Sequence, residues 1–150
     1  MSTTVLPATV LPRGLPAPAI EPLTGPYWEG TRAGRLVIQK CRGCGRHQWG
    51  PEWICHRCHS FDLDWAEVAP RGRIWSWQRP HHPVHGALAG HTPYTIVLVE
   101  LPHADNVRMV GNLICPPDAE VELGAAVEAV FEPHDAADPP YTLVQWRLAG

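Results

Sequence analysis

The chain has 150 residues, 45% of them hydrophobic and 18% charged, with a net charge of −3. That length suits one ordinary domain or two very small ones, a core burying roughly 70% of the unfolded surface is within reach, and wholesale disorder is excluded. The 13 glycines and 17 prolines argue against long helices and for short strands with many turns, and no run of about 18 apolar residues is present to span a membrane.

The charge is unevenly placed. Residues 1–80 carry +4 and residues 81–150 carry −7. This balance disfavours a generally basic nucleic-acid binder. Lys40 is the only lysine, and the other eleven basic residues are arginine. Arginine suits bidentate contact with phosphate or carboxylate, although a GC-rich coding sequence also favours it.

Residues 1–20 have no charged start, and Pro7, Pro12, Pro16 and Pro18 interrupt every apolar run. A secretory signal needs both features, so the expected compartment is the cytoplasm. The Pro/Ala-rich composition predicts a flexible, extended arm over 1–20. Next comes an N-terminal helix and metal-binding segment over 21–69. Pro26 suits the first turn of a short helix with Thr24 as its cap. Arg35 to Lys40 reads as a strand leading into a cysteine motif.

Cys41, Cys44, Cys55 and Cys58 form C-x-x-C, ten residues, then C-x-x-C. Four thiolates converging at about 2.3 Å make a tetrahedral zinc site. Each two-residue spacing lets both sulfurs reach one ion from a tight knuckle, and the ten-residue gap allows a hairpin to return the second knuckle. Gly43 and Gly45 ease the first knuckle. His59 follows the second, and histidine tolerates left-handed backbone better than most residues. Two disulfides would suit a secreted chain, and a redox pair would need only one C-x-x-C. Iron also accepts four sulfurs, and His47, His56 or His59 could replace a thiolate. The preferred reading is one structural Zn2+ held by the four cysteines, because full protein coordination leaves no open catalytic position.

Phe61 to Val68 alternates as a half-buried strand does, which turns Asp62 and Asp64 outward into solvent. After Pro70, five strands are expected at 72–78, 94–101, 107–114, 127–131 and 141–148. An acidic, proline-rich loop over 132–140 joins the last two. The fold class is therefore all-β: a rubredoxin-like zinc ribbon with a short N-terminal helix, followed by a five-stranded OB-fold barrel over 70–150.

Loop 79–91 holds His81, His82, His85 and His91. Its histidines suit contact with a partner or ligand better than a second metal, since no carboxylate lies near them in sequence. Cys115 stands alone before Pro116, without a local base, and reads as a free cysteine at a strand end. Seven tryptophans are many for this length. Trp49 and Trp53 lie between the knuckles, where there is little interior, and are candidate interface anchors.

Several segments together resemble the zinc-ribbon plus OB-fold family known as domain of unknown function 35. They are Pro26-Tyr27-Trp28-Glu29-Gly30, Gly34-Arg35-Leu36, the two cysteine pairs, Gly72 to Trp77, Pro93 to Leu101, Gly111-Asn112 and Leu123 to Val127. The resemblance covers 21–150. It implies a small, non-catalytic subunit of a thiolase-fold enzyme that acts on acyl-CoA: a thiolase, synthase, acyltransferase or retro-aldolase of steroid side-chain breakdown. It further implies a hetero-oligomer with the acyl-CoA at the shared interface. Arg42, Arg46 and Arg57 then become candidate contacts to CoA phosphates or acidic partner residues, alongside Trp49, Trp53, His81, His82 and His85. The residues offer no nucleophile–base pair and no paired carboxylates for chemistry of the chain's own. The alternative is a single-stranded nucleic-acid binder, against which the −7 of the barrel half weighs. A free-standing acyl-CoA hydrolase or transferase would need a nucleophile that the sequence does not offer.

Overall fold

A computed structural model describes residues 10–150, and the first nine residues of the expected arm lie outside the described residues. Helix α1 spans Gly25–Arg32 with Pro26 in its first turn. Thr24 stands at the N-cap position but does not cap. Its backbone is already helical, and its hydroxyl turns back to the Glu21 carbonyl at 3.3 Å. The helix is held instead by its buried side. Tyr27 enters the core, and Trp28 packs edge-on against Tyr141.

The ribbon sheet has the order β2-β1-β3, with β1 at Leu36–Cys41, β2 at His47–Gln48 and β3 at Leu63–Val68. Strand β2 has only two residues, too few for a sequence pattern to show. Strand β1 is buried almost throughout, because β2 and β3 flank it and α1 covers it.

The barrel strands are β4 (Arg71–Gln78), β5 (Ile96–Leu101), β6 (Val107–Asn112), β7 (Ala126–His134) and β8 (Tyr141–Leu148). They pair in the order β6-β5-β4-β7-β8, every neighbour antiparallel. The two outer strands meet through a parallel bridge between Leu113 and Trp146, which closes the barrel. That order and closure are those of the OB-fold, so the expected class is the one observed.

Strand β7 runs three residues past the expected end at 131, shortening the acidic loop. Glu132 pairs with Leu143 and Pro133 with Thr142. Proline is tolerated there because β4 has already left β7 after Glu128, so β7 has a single ladder neighbour at that point. Glu132 is buried, and the Val10 N–H donates to its Oε2 at 2.9 Å. Residues 11–18 continue along the same side and line a cavity with His134, Tyr141 and Leu143.

Among the described residues, one apolar cluster runs from the N-terminal part into the barrel. Tyr27, Leu36 and Ile38 from the N-terminal part join Ile74, Val99, Met109, Val127 and Trp146 of the barrel. Strand β1 therefore serves two structures at once: its polar edge holds the ribbon, and its apolar side completes the barrel core.

Candidate metal centre and the cleft beside it

The two knuckles bring the four sulfurs together. Cys41 and Cys58 Sγ are 3.6 Å apart, Cys44 and Cys55 Sγ are 3.7 Å apart, and all four lie within 4.8 Å of one another. A tetrahedron of sulfurs around one ion with bonds of about 2.3 Å has edges of about 3.8 Å. The cysteines thus already hold the spacing of a tetrathiolate site. Cys41 and Cys55 are buried, while Cys44 and Cys58 lie nearer solvent. Gly45 (φ 76°) and His59 (φ 61°) both take left-handed backbone directly after the second cysteine of their pair, so the two knuckles repeat one geometry.

Backbone N–H groups prepare the sulfurs for charge. The Cys44 N–H donates to Cys41 Sγ at 3.5 Å, and the Arg57 N–H to Cys55 Sγ at 3.4 Å. N–H groups of Cys58 and then Arg57 lower the Cys55 thiol to about 6. Cys58 carries the Ser60 N–H, but its sulfur neighbours, led by Cys41, outweigh that and raise it to about 11. A bound cation resolves this opposition by stabilising all four thiolates together.

Two buried glutamines, unmarked by any sequence motif, support the second knuckle. Gln48 Nε2 donates to Gln39 Oε1 at 2.6 Å, and Gln48 Oε1 accepts the His56 N–H at 2.8 Å. Gln39 Nε2 donates to the Glu52 carbonyl at 2.8 Å, and Gln39 Oε1 accepts the Glu52 N–H at 3.1 Å. A single glutamine in a strand gives no signal in sequence. Only the pairing of Gln39 with Gln48 across β1 and β2 makes the network visible.

The three arginines named with the cysteines do not act together. Arg42 is spent on the surface: its guanidinium meets Asp64 at 3.0 Å and Asp62 at 3.3 Å. Arg46 and Arg57 instead line an open cleft of about 360 Å³ with His47, Gln48, Trp49, His56 and Val107. Trp49 is half-buried and packs edge-on to Tyr27, with 4.8 Å between centroids. Trp53 is 64% exposed and stands outside that cleft.

His81, His82 and His85 lie in the exposed loop after β4. The His85 Nδ1 accepts the Ala87 N–H at 3.1 Å. Among the described residues, the four cysteines are the one cluster of metal-type side chains close enough to share an ion. Cys115 is half-buried, its sulfur 3.6 Å from the Thr95 hydroxyl. The outer barrel face carries a further pair of exposed tryptophans. Arg108 stacks on Trp75 at 3.8 Å and Arg79 on Trp77 at 5.1 Å.

A four-cysteine zinc ribbon sharing its core with a closed OB-fold barrel defines the class of this protein. Two family models match it in series: the ChsH2 rubredoxin-like zinc ribbon domain over residues 28–64 and the ChsH2 C-terminal OB-fold domain over 65–132. The chain belongs to that family, the zinc-ribbon and OB-fold proteins of domain of unknown function 35.

Among solved structures, the chain is similar to one titled Ltp2-ChsH2(DUF35) aldolase. It matches all of that chain with 89% of its own, at 35% identity and a TM-score of 0.75. A family member of unknown function from Sulfolobus solfataricus shares the fold, at 15% identity and a TM-score of 0.57, over 85% of this chain and 86% of that one. Two curated relatives are hydratase alpha subunits. One, from Thermomonospora curvata, is a probable enoyl-CoA hydratase alpha subunit, 38% identical over 89% of this chain. The other, from Mycobacterium tuberculosis, is a 3-oxo-4,17-pregnadiene-20-carboxyl-CoA hydratase alpha subunit, 29% identical over 97% of this chain. The chain spans 40% and 44% of the lengths of these two relatives.

Proposed function

We propose that this chain is a non-catalytic, zinc-carrying accessory subunit of a thiolase-superfamily enzyme. It helps assemble the partner's active site and position an acyl-CoA, in the cytoplasm and in degradative acyl-CoA metabolism such as steroid side-chain cleavage. The observation that carries this reading is the match, over the full length of that chain, to a component of a two-protein aldolase. The names of the hydratase relatives add acyl-CoA and steroid chemistry to the same side. The described residues are consistent with a supporting role. The metal site has four protein ligands and no open position, and the side chains around it hold structure in place. Carbon–carbon cleavage would then depend on acid–base groups of the partner, while this chain supplies walls and excludes water.

Affinity purification of the native protein from its own cells, with co-eluting chains identified by mass, tests the proposal. A stoichiometric thiolase-fold companion is expected. Recovery of the protein alone, or with nucleic acid at gentle salt, overturns it. Turnover of an acyl-CoA by the isolated chain would overturn the non-catalytic part.

A further inference from the structure

The outer face of β7 and β8 is covered in a way that leaves space. The strand register sets His134 opposite Tyr141 and Glu132 opposite Leu143, and Gln145 follows two residues on. Alternation places these side chains on one face, opposite Val144 and Trp146 of the core. The outward face of a barrel strand ordinarily meets water, yet Glu132 is 3%, Tyr141 8% and Gln145 2% exposed. Residues 11–18 and α1 lie over this face. Between arm and sheet there remains a cavity of about 360 Å³, which falls within the range of small-ligand sites, roughly 300–1,000 Å³. It shares no lining residue with the metal centre or the cleft beside it.

On the sheet side of the cavity, charge is balanced but hydrogen bonding is not. His134 Nε2 donates to Glu132 Oε1 at 2.8 Å, the other carboxylate oxygen accepts the Val10 N–H at 2.9 Å, and the His134 ring stacks on Tyr141. Gln145 Oε1 accepts the Asn112 N–H at 3.0 Å and Asn112 Nδ2 at 3.2 Å. A backbone N–H can only donate, so it fixes which end of the Gln145 amide is oxygen. Gln145 Nε2 then has no acceptor among the described residues, and neither does the Tyr141 hydroxyl. Buried donors of this kind call for a partner. The rest of the lining is mainly apolar, with Leu11, Leu15, Leu143 and three prolines that offer no N–H. Arg13 of the arm is exposed. An anion in this space would lie against the Glu132 carboxylate, and a cation would find both carboxylate oxygens already engaged.

We propose that this cavity binds a small, neutral, mainly apolar carbonyl compound. Its oxygen accepts from Gln145 Nε2, its body lies on Leu143 and the leucines of the arm, and residues 10–18 form a lid pinned by the Val10 N–H on Glu132. The inference does not rest on the accessory-subunit reading.

Amide NMR titration of the zinc-loaded full chain with 4-phenylbutan-2-one, 4-phenylbutanoate and 4-phenylbutylammonium tests it. The three probes share one body and differ in the head group. The ketone should saturate, moving the amides of Val10, Leu15 and Leu143 and leaving those of the four cysteines in place. The acid and the amine should bind about tenfold or more weakly, since burying either charge without a partner is costly. Q145E keeps the acceptor for Asn112 and replaces the donor with a second oxygen, so it should weaken the ketone by about tenfold. L143W fills the cavity from a half-buried position and should abolish saturation while the rest of the spectrum is kept. It decides the matter if Q145E does not fold. No saturation at millimolar ketone overturns the inference, as does full affinity in L143W. Equal binding of the three probes overturns the neutral class of ligand, and full ketone affinity in a folded Q145E overturns the Gln145 contact.

Discussion

Gly111 sits where the barrel closes, and the closure leaves it no room for a side chain. A Cβ there would lie 2.7 Å from Trp146 Cδ1 and 2.8 Å from its Nε1, and Trp146 is fully buried. Gly111→Ala should therefore cost about 1–3 kcal/mol, read from the urea midpoint of the zinc-loaded protein. On the outer face, Glu100 is buried between two arginines. Arg73 reaches it at 2.6 Å and Arg108 at 3.0 Å, and their hydrogen bonds, Arg73 first, hold its carboxyl below the usual carboxylate range. A depressed folded-state value means that the stabilisation is complete above the unfolded value of about 4.3 and is lost as pH falls through the folded one. The stability gap between the native protein and Glu100→Gln should thus be flat near neutral pH and shrink below about pH 4. A gap that widens on acidification would contradict this sign. In sequence neither residue stands out from its neighbours: Gly111 sits in a Gly-Asn pair, and Glu100 is one acid in an apolar strand. Both gain meaning only from long-range partners, Trp146 and the two arginines.

At the scale of elements, the metal ribbon was the part most legible in advance. Its chemistry is local: two C-x-x-C pairs and the backbone that follows them set the ligand geometry within eighteen residues. The five barrel strands were also legible, since alternation and turn residues mark strands directly. The errors fell at ends governed by distant pairing. Thr24 is a cap residue by type, but its helical backbone does not support capping, and β7 extends beyond residue 131 through the Glu132 and Pro133 pairs. Arg42, Arg46 and Arg57 lie near one another in sequence, but Arg42 pairs with Asp62 and with Asp64 of β3. The glutamine pair supports the knuckle from the neighbouring strands. Gln48→Ala would strand the His56 N–H and leave Gln39 Oε1 with only the Glu52 N–H as donor. It should destabilise the protein by about 1–3 kcal/mol and weaken zinc about 10- to 100-fold in chelator competition, as loss of outer-shell support does.

For the whole molecule, the question is how ribbon and barrel act on each other. One tie is polar: Asp105, in left-handed backbone after β5, holds His47 of β2 by both backbone and ring. Those bonds, the backbone one first, keep the Asp105 carboxyl low. Asp105→Ala should cost about 1–2 kcal/mol and raise amide exchange at residues 46–48 before it affects β7 and β8. The other tie is the shared core, with Leu36 and Ile38 packed among barrel residues. Chelation of the metal should therefore lower the urea midpoint of the barrel itself, followed by burial of Trp146, and not merely unfold the ribbon. A barrel midpoint indifferent to the chelator would mean two independent units. The sheet order has a consequence for colloidal behaviour. The outer strands of the barrel meet at one bridge, Leu113 with Trp146, which brings the two ends of the sheet together. The longest free edge among the described strands of the ribbon is β3, and it presents Asp64 and Glu67. Charges on an exposed edge discourage edge-to-edge addition, so neutralising both, as in Asp64→Val with Glu67→Val, would turn a guarded rim into a template for aggregation.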